Sequence, residues 1–149
     1  MSDTGDPHHL HRFVEAQADH YREALSELRG GRKRSHWMWF VFPQYAGLGS
    51  SPTSRHYAIK SLREAEAYLR HRVLGPRLLE SCEAVLAING HSAVDVFGSP
   101  DDLKLHSCAT LFARISPPDS VFERILHKYF DARPDEKTLA LLSITRNDV

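Results

Sequence analysis

The chain has 149 residues, 42% hydrophobic and 26% charged, with 19 basic and 19 acidic side chains and a formal net charge of zero, a size that suits one domain around one core. No apolar run approaches the ~20 residues needed to cross a bilayer, residues 1–7 are polar and acidic rather than basic and then apolar, and two cysteines make no disulfide framework. A membrane protein and a disulfide-stapled secreted domain are thereby excluded, and a cytoplasmic location is expected.

A first helix is expected over residues 9–29, with Asp6 as its cap, Pro7 in its first turn, and Leu10, Phe13, Val14, Tyr21, Ala24, Leu25 and Leu28 on one face. Gly30-Gly31 ends it. Gln17 falls inside the apolar stripe, where its amide must find partners or cost ~1–3 kcal/mol. Tying down a nearby loop backbone is the simplest use for it.

Residues 35–42 are apolar almost throughout, hold both tryptophans, and read as a short helix capped by Ser35 and stopped by Pro43. Residues 44–54 have loop chemistry, and there Ser50, Ser51, Thr53 and Ser54 lie next to Arg55 and His56. Hydroxyls and backbone amides beside a guanidinium suit a phosphate, although most Ser/Gly/Pro loops are only loops. Charge allows the same reading. No acid lies between Glu27 and Glu64, whereas Arg29, Arg32, Lys33, Arg34, Arg55, Lys60 and Arg63 all do, which suits an anionic partner and a merely solvated basic surface alike.

Ser61 to Glu64 has the form of a capping box opening a helix to about residue 70, with Leu62, Ala65 and Leu69 inward. Gly75-Pro76 is expected to break the chain before a helix carrying Leu78, Leu79, Cys82, Val85 and Leu86, closed by Asn89-Gly90. Ser92 to Asp95 repeats the capping pattern before a short turn. Ser99-Pro100-Asp101-Asp102 reads as cap, first-turn proline, then acids at the positive end of the helix dipole. That helix, to about residue 115, is apolar on more than one side, with Leu103, Leu105, Cys108, Leu111 and Phe112. It is therefore expected to be buried, and Lys104, Ser107 and Thr110 need partners. A lysine beside two acids in a buried element either pairs locally or builds a polar pocket wall. Two more helices are expected, over residues 120–130 and 135–142. The sum is an all-α fold, an irregular multihelical single domain over residues 9–143 with flexible tails at 1–8 and 144–149.

The run from Trp37 to Gln44, then Gly47 to Pro52, Tyr57-Ala58-Ile59, Glu64-Ala65, Leu74 to Leu78, Asp101 to Leu105 and Thr110 to Ala113 together resemble the bacterial domain-of-unknown-function family eighteen-ten, over about residues 10–142. The resemblance implies a multihelical fold and no particular reaction. Ser54-Arg55-His56-Tyr57 is also similar to the Ser-Glu-His-Tyr stretch of a small helical N-glycosidase family linked to ADP-ribose and riboflavin intermediates. Arg55 here replaces the carboxylate that would stabilise an oxocarbenium-like centre.

Three function classes follow. In the first, a pocket between the Trp-rich segment with its serine loop and the Asp101 helix binds a small anionic or nucleotide-like ligand. Trp37, Trp39, Gln44, Ser51, Ser54, Arg55, His56, Tyr57 and Ser107 would contact the ligand, while His36, Asp101, Asp102 and Lys104 are the candidates for chemistry. The second is a protein- or nucleic-acid-interaction module, with nucleic acid disfavoured because the apolar run looks core-bound. The third gives the tryptophans to the core and the arginines to solvent. The ten histidines contain no metal-binding spacing, and neither a metal nor a cofactor is expected.

Overall fold

The computed structural model describes residues 5–147, which form ten helices and no sheet. They are α1 (His11–Ala18), α2 (Tyr21–Arg29), α3 (Met38–Val41), α4 (Pro52–His56), α5 (Leu62–Arg70), α6 (Leu74–Leu86), α7 (Ala93–Phe97), α8 (Asp101–Arg114), α9 (Val121–Tyr129) and α10 (Glu136–Asn147). The all-α, irregular reading of the sequence holds. The tails expected at 1–8 and 144–149 lie partly outside the described residues, at 1–4 and 148–149; α10 itself continues to Asn147.

The α6 helix packs against α2, α5 and α9, and α8 packs against α7, α9 and α10, with α3 wedged between α1, α6 and α8. The shared interior holds Phe13, Trp37, Phe42, Tyr68, Phe112 and Phe122, each almost fully buried. Burial of a side chain of that size contributes roughly 1.5–3 kcal/mol. Edge-to-face pairs, Phe13 with Tyr68 at 5.1 Å and Phe42 with Phe97 at 5.9 Å, tie α1 to α5 and the end of α3 to α7.

Several boundaries differ from expectation, each for a local reason. The first helix is two. Asp19 and His20 interrupt it, with the His20 N–H turning back to Gln17 O at 3.1 Å, so that α1 packs on α3 while α2 packs on α6. Gln17 finds partners, but on helices and not on a loop: its Nε2 donates to Phe40 O of α3 at 2.7 Å and to Tyr68 Oη of α5 at 3.0 Å. The serine loop is not all loop, because Ser51 accepts from Ser54 N–H and Pro52 starts α4.

Gly75-Pro76 lies inside the first turn of α6 rather than before it, and His71 Nδ1 caps that turn by accepting from the Val73 and Leu74 N–H groups. Ser99 does not cap α8, whose N-cap position is Pro100 with no side-chain bond. Leu103, expected inward, is 58% exposed. Ser61 and Ser92 cap α5 and α7 as read, although at α5 the Glu64 carboxylate accepts from the Lys60 N–H and does not close the box on Ser61; Ser120 caps α9. Cys82 and Cys108 are buried and unbridged, and burial pushes both thiols up, away from nucleophilic character.

Candidate functional site

The Trp-rich segment enters the site on a carboxylate that the sequence did not single out. Glu27, in the last turns of α2, accepts from Arg34 N–H at 2.7 Å, Ser35 N–H at 3.0 Å, Ser35 Oγ at 2.6 Å and Trp37 Nε1 at 2.9 Å. Ser35 therefore serves Glu27 instead of capping α3. Burial alone would raise the Glu27 pKa, but the four donors overcome it and hold it at about 2, from an ordinary 4.5. A carboxylate depressed in this way contributes stability above pH 4.5 and loses it as pH falls toward 2. After allowance for partial solvent screening, Glu27→Gln should cost on the order of 2 kcal/mol at pH 7. Urea unfolding should show that difference shrinking between pH 4.5 and pH 2; a difference unchanged across that window would show that these bonds do not set the carboxylate.

Beyond Glu27 the chain presents Lys33 to the start of α8. The Lys33 N–H donates to Val96 O at 2.7 Å, and its Nζ meets Ser35 O at 2.5 Å and Asp101 Oδ2 at 2.9 Å. Lys104, one turn along α8, meets the other oxygen, Asp101 Oδ1, also at 2.9 Å. The lysines also lie over indole rings, Lys33 at 5.1 Å from the Trp37 centroid and Lys104 at 4.1 Å from the Trp39 centroid. Their side chains are 8% and 19% exposed, and Asp101 is 18% exposed. Burial would raise the Asp101 pKa, but the two ammonium groups outweigh it and lower it. Two cations share one anion.

This triad faces a cleft of about 350 Å³ whose other walls include His36, Trp39, Ser51 and Thr53. Six of the residues singled out in the sequence, His36, Trp37, Trp39, Ser51, Asp101 and Lys104, thus line one hollow between the Trp-rich segment, the serine loop and α8. Trp37 is core at 1% exposure, whereas Trp39 is half-buried.

Trp39 is also a wall of two neighbouring hollows. A slot of about 260 Å³ brings in Gln44, Ser54, Arg55 and Tyr57 with Tyr45 and Lys60. A wider groove of about 720 Å³ shares Trp39, Gln44 and Lys104 with these hollows and adds Ser107, Leu103 and the start of α10. The Ser107 hydroxyl is already committed, donating to Asp135 Oδ2 at 3.2 Å and accepting from Thr138 Oγ1 at 3.1 Å, where Asp135 caps α10. Arg55 Nη2 holds Ser50 O at 2.5 Å and so braces the loop. His56 and Asp102 line none of these three hollows. His56 gives its carbonyl to Arg12, and Asp102 is half-buried with Oδ1 lacking a protein partner. Among the described residues no trio of His, Cys, Asp and Glu side chains is placed to share a metal ion, and no helix is long and apolar enough to cross a membrane.

Three comparisons bear on this arrangement. The conserved hypothetical protein Rv1873 from Mycobacterium tuberculosis, known from a crystal structure, is similar over 93% of this chain and 99% of its own, with 54% sequence identity and a TM-score of 0.91. No curated protein matches. A family model described as a protein of unknown function, DUF1810, matches residues 7–142, the span over which the tryptophan-rich motif and its neighbours carry the resemblance. The chain therefore belongs to the DUF1810 family, whose function is unknown.

Proposed function

We propose that the chain binds a small anionic ligand in the cleft between the Trp-rich segment, the serine loop and α8. The observation that carries this reading is the charge count at the triad. Lys33 and Lys104 both pair with Asp101 and with no other carboxylate among the described residues, which leaves one positive charge uncompensated in a partly desolvated wall. An oxyanion entering the cleft gains two ammonium donors already held in place by Asp101 and by the indoles, so little ordering entropy remains to be lost. The Ser51 and Thr53 residues on the facing wall supply hydroxyl donors.

Isothermal titration with inorganic pyrophosphate tests it. Lys33→Met and Lys104→Met should each weaken binding by about tenfold or more, the loss of one charge-assisted hydrogen bond. Asp101→Asn, which removes the carboxylate that both lysines pair with, should tighten it. No binding by the unaltered protein, or weaker binding by Asp101→Asn, would contradict the reading.

The two alternatives draw less support. A glycosidase would need its carboxylate from Asp101 or Asp102: Asp101 is flanked by two lysines whose net positive field works against a developing cation, and Asp102 lines none of the three hollows. As a stacking platform for single-stranded nucleic acid, the segment would need both indoles displayed, and Trp37 is core.

A further inference from the structure

The buried polar groups of this domain are almost all paired, and the exceptions are informative. Gln17 and Gln44 are the two buried glutamines, at 1% and 6% exposure. Gln17 uses its Nε2 on Phe40 O and Tyr68 Oη. Gln44 Nε2, equally enclosed, has no protein partner. An unpaired buried donor is destabilising and rare in native proteins, so its persistence beside a hollow points to a partner from outside the chain.

Gln44 lines both the 260 Å³ slot behind Trp39 and the wider groove beside it, and of the two the slot has walls that fit one kind of visitor. Trp39, Tyr45 and Tyr57 line it, and its only charged residues are Arg55 and Lys60. The loop side is closed by Gly49, where a Cβ would lie 2.7 Å from Ser54 Cβ and 3.2 Å from Trp39 Cη2, so the backbone itself is pressed against the indole. An apolar cavity of about 150 Å³ already accepts a benzene ring. Aromatic walls select a planar ring, an amide N–H selects an acceptor on its edge, and the cationic rim disfavours a positively charged one.

We infer that the slot takes a planar heterocycle bearing a ring carbonyl, with Gln44 Nε2 donating to that oxygen, and that the ligand of the anion cleft is therefore an oxo-nucleoside phosphate. Trp39 is the wall common to both hollows, so ring and phosphate occupy adjoining spaces. The second half of this inference rests on the anion-cleft reading; the ring slot itself does not.

Titration calorimetry with four probes separates the two. Inosine 5′-monophosphate should bind at least tenfold more tightly than purine riboside 5′-monophosphate, which lacks the 6-oxo group and the N1–H that goes with it. Gln44→Leu should abolish that preference and leave pyrophosphate binding unchanged. The comparison of the two nucleotides on the unaltered protein does not depend on how the variant folds. Equal affinity for the two nucleotides, with pyrophosphate bound, would overturn the ring slot and leave the anion cleft standing. Binding of inosine without any binding of pyrophosphate would overturn the anion cleft and keep the slot. Failure of all four probes would overturn both.

Discussion

Arg12→Met should lower the unfolding free energy by about 3–5 kcal/mol, the range found when one partner of a buried ion pair is removed. At this chain length that corresponds to roughly 10 °C in melting temperature. Arg12 is the hub of the N-terminal half. Its Nε donates to His56 O at 2.7 Å, Nη1 to His8 O and His9 O at 2.8 and 2.9 Å, and Nη2 to Ala58 O at 2.8 Å and Glu64 Oε2 at 2.7 Å. The guanidinium also lies 4.3 Å from the Phe13 ring centroid.

Glu64 in turn is 4% exposed at its side chain and accepts the Lys60 N–H through Oε1 at 2.8 Å. Without Arg12, a buried carboxylate loses its main partner and four backbone carbonyls lose their donor. Arg12→Lys should rescue little, since one ammonium cannot span the five acceptors that a planar fork reaches. In Arg12→Met/Glu64→Gln the buried charge is absent as well, so the double variant should be less destabilised than the two single effects summed. Urea unfolding of the four proteins measures this; an Arg12→Met loss under ~1 kcal/mol would mean that the pair behaves as an exposed one.

Gly75→Ala should be nearly as damaging, at about 3 kcal/mol or more. A Cβ at residue 75 would stand 2.1 Å from Leu69 O and 3.0 Å from Leu69 C, atoms of the α5 backbone that cannot rotate away as a side chain would. The α5 and α6 helices meet at this glycine, so the clash separates two elements that pack together. Gly90→Ala is the contrast. Gly90 has φ of +79° with nothing within 4 Å of its would-be Cβ, so only the left-handed backbone conformation opposes alanine, at about 1–2 kcal/mol. Equal losses for the two variants would remove close approach as the reason for Gly75.

These two residues show where the sequence was legible and where it was not. The helix starts at Ser61 and Ser92 were readable because a cap acts within three residues of itself. Gly75 was misread as a chain break because the same residue type serves both a turn and a close approach, and Leu69 O is visible only once the helices meet. The Asp19–His20 interruption was missed because the apolar stripe continues across it, with Tyr21 following Gln17 at helical spacing. Arg12 was passed over altogether. Its acceptors at His56, Ala58 and Glu64 are 44, 46 and 52 residues away, beyond the reach of any local pattern.

The site followed the same rule. The meeting of the Trp-rich segment with the Asp101 helix was anticipated from a charge-bearing helix start and an acid-free basic segment. Lys33, the second cation on Asp101, was noticed only as part of the basic run, because its partner is 68 positions along the chain (101 − 33). In the sequence Glu27 served only to bound the acid-free segment, yet it fixes the stretch that delivers Lys33 and Trp37. Gln44 was named as a ligand contact from its place beside the tryptophans, while the reason for its interest, an enclosed amide nitrogen without a protein acceptor, belongs to the folded chain alone.

The most direct test is a crystal of the unaltered protein soaked in tungstate, a heavy tetrahedral stand-in for phosphate, with its anomalous scattering located. Binding in the cleft predicts one strong peak within hydrogen-bonding distance of both Lys33 Nζ and Lys104 Nζ. Peaks confined to exposed arginines such as Arg32 and Arg34, with none beside the two lysines, would contradict it.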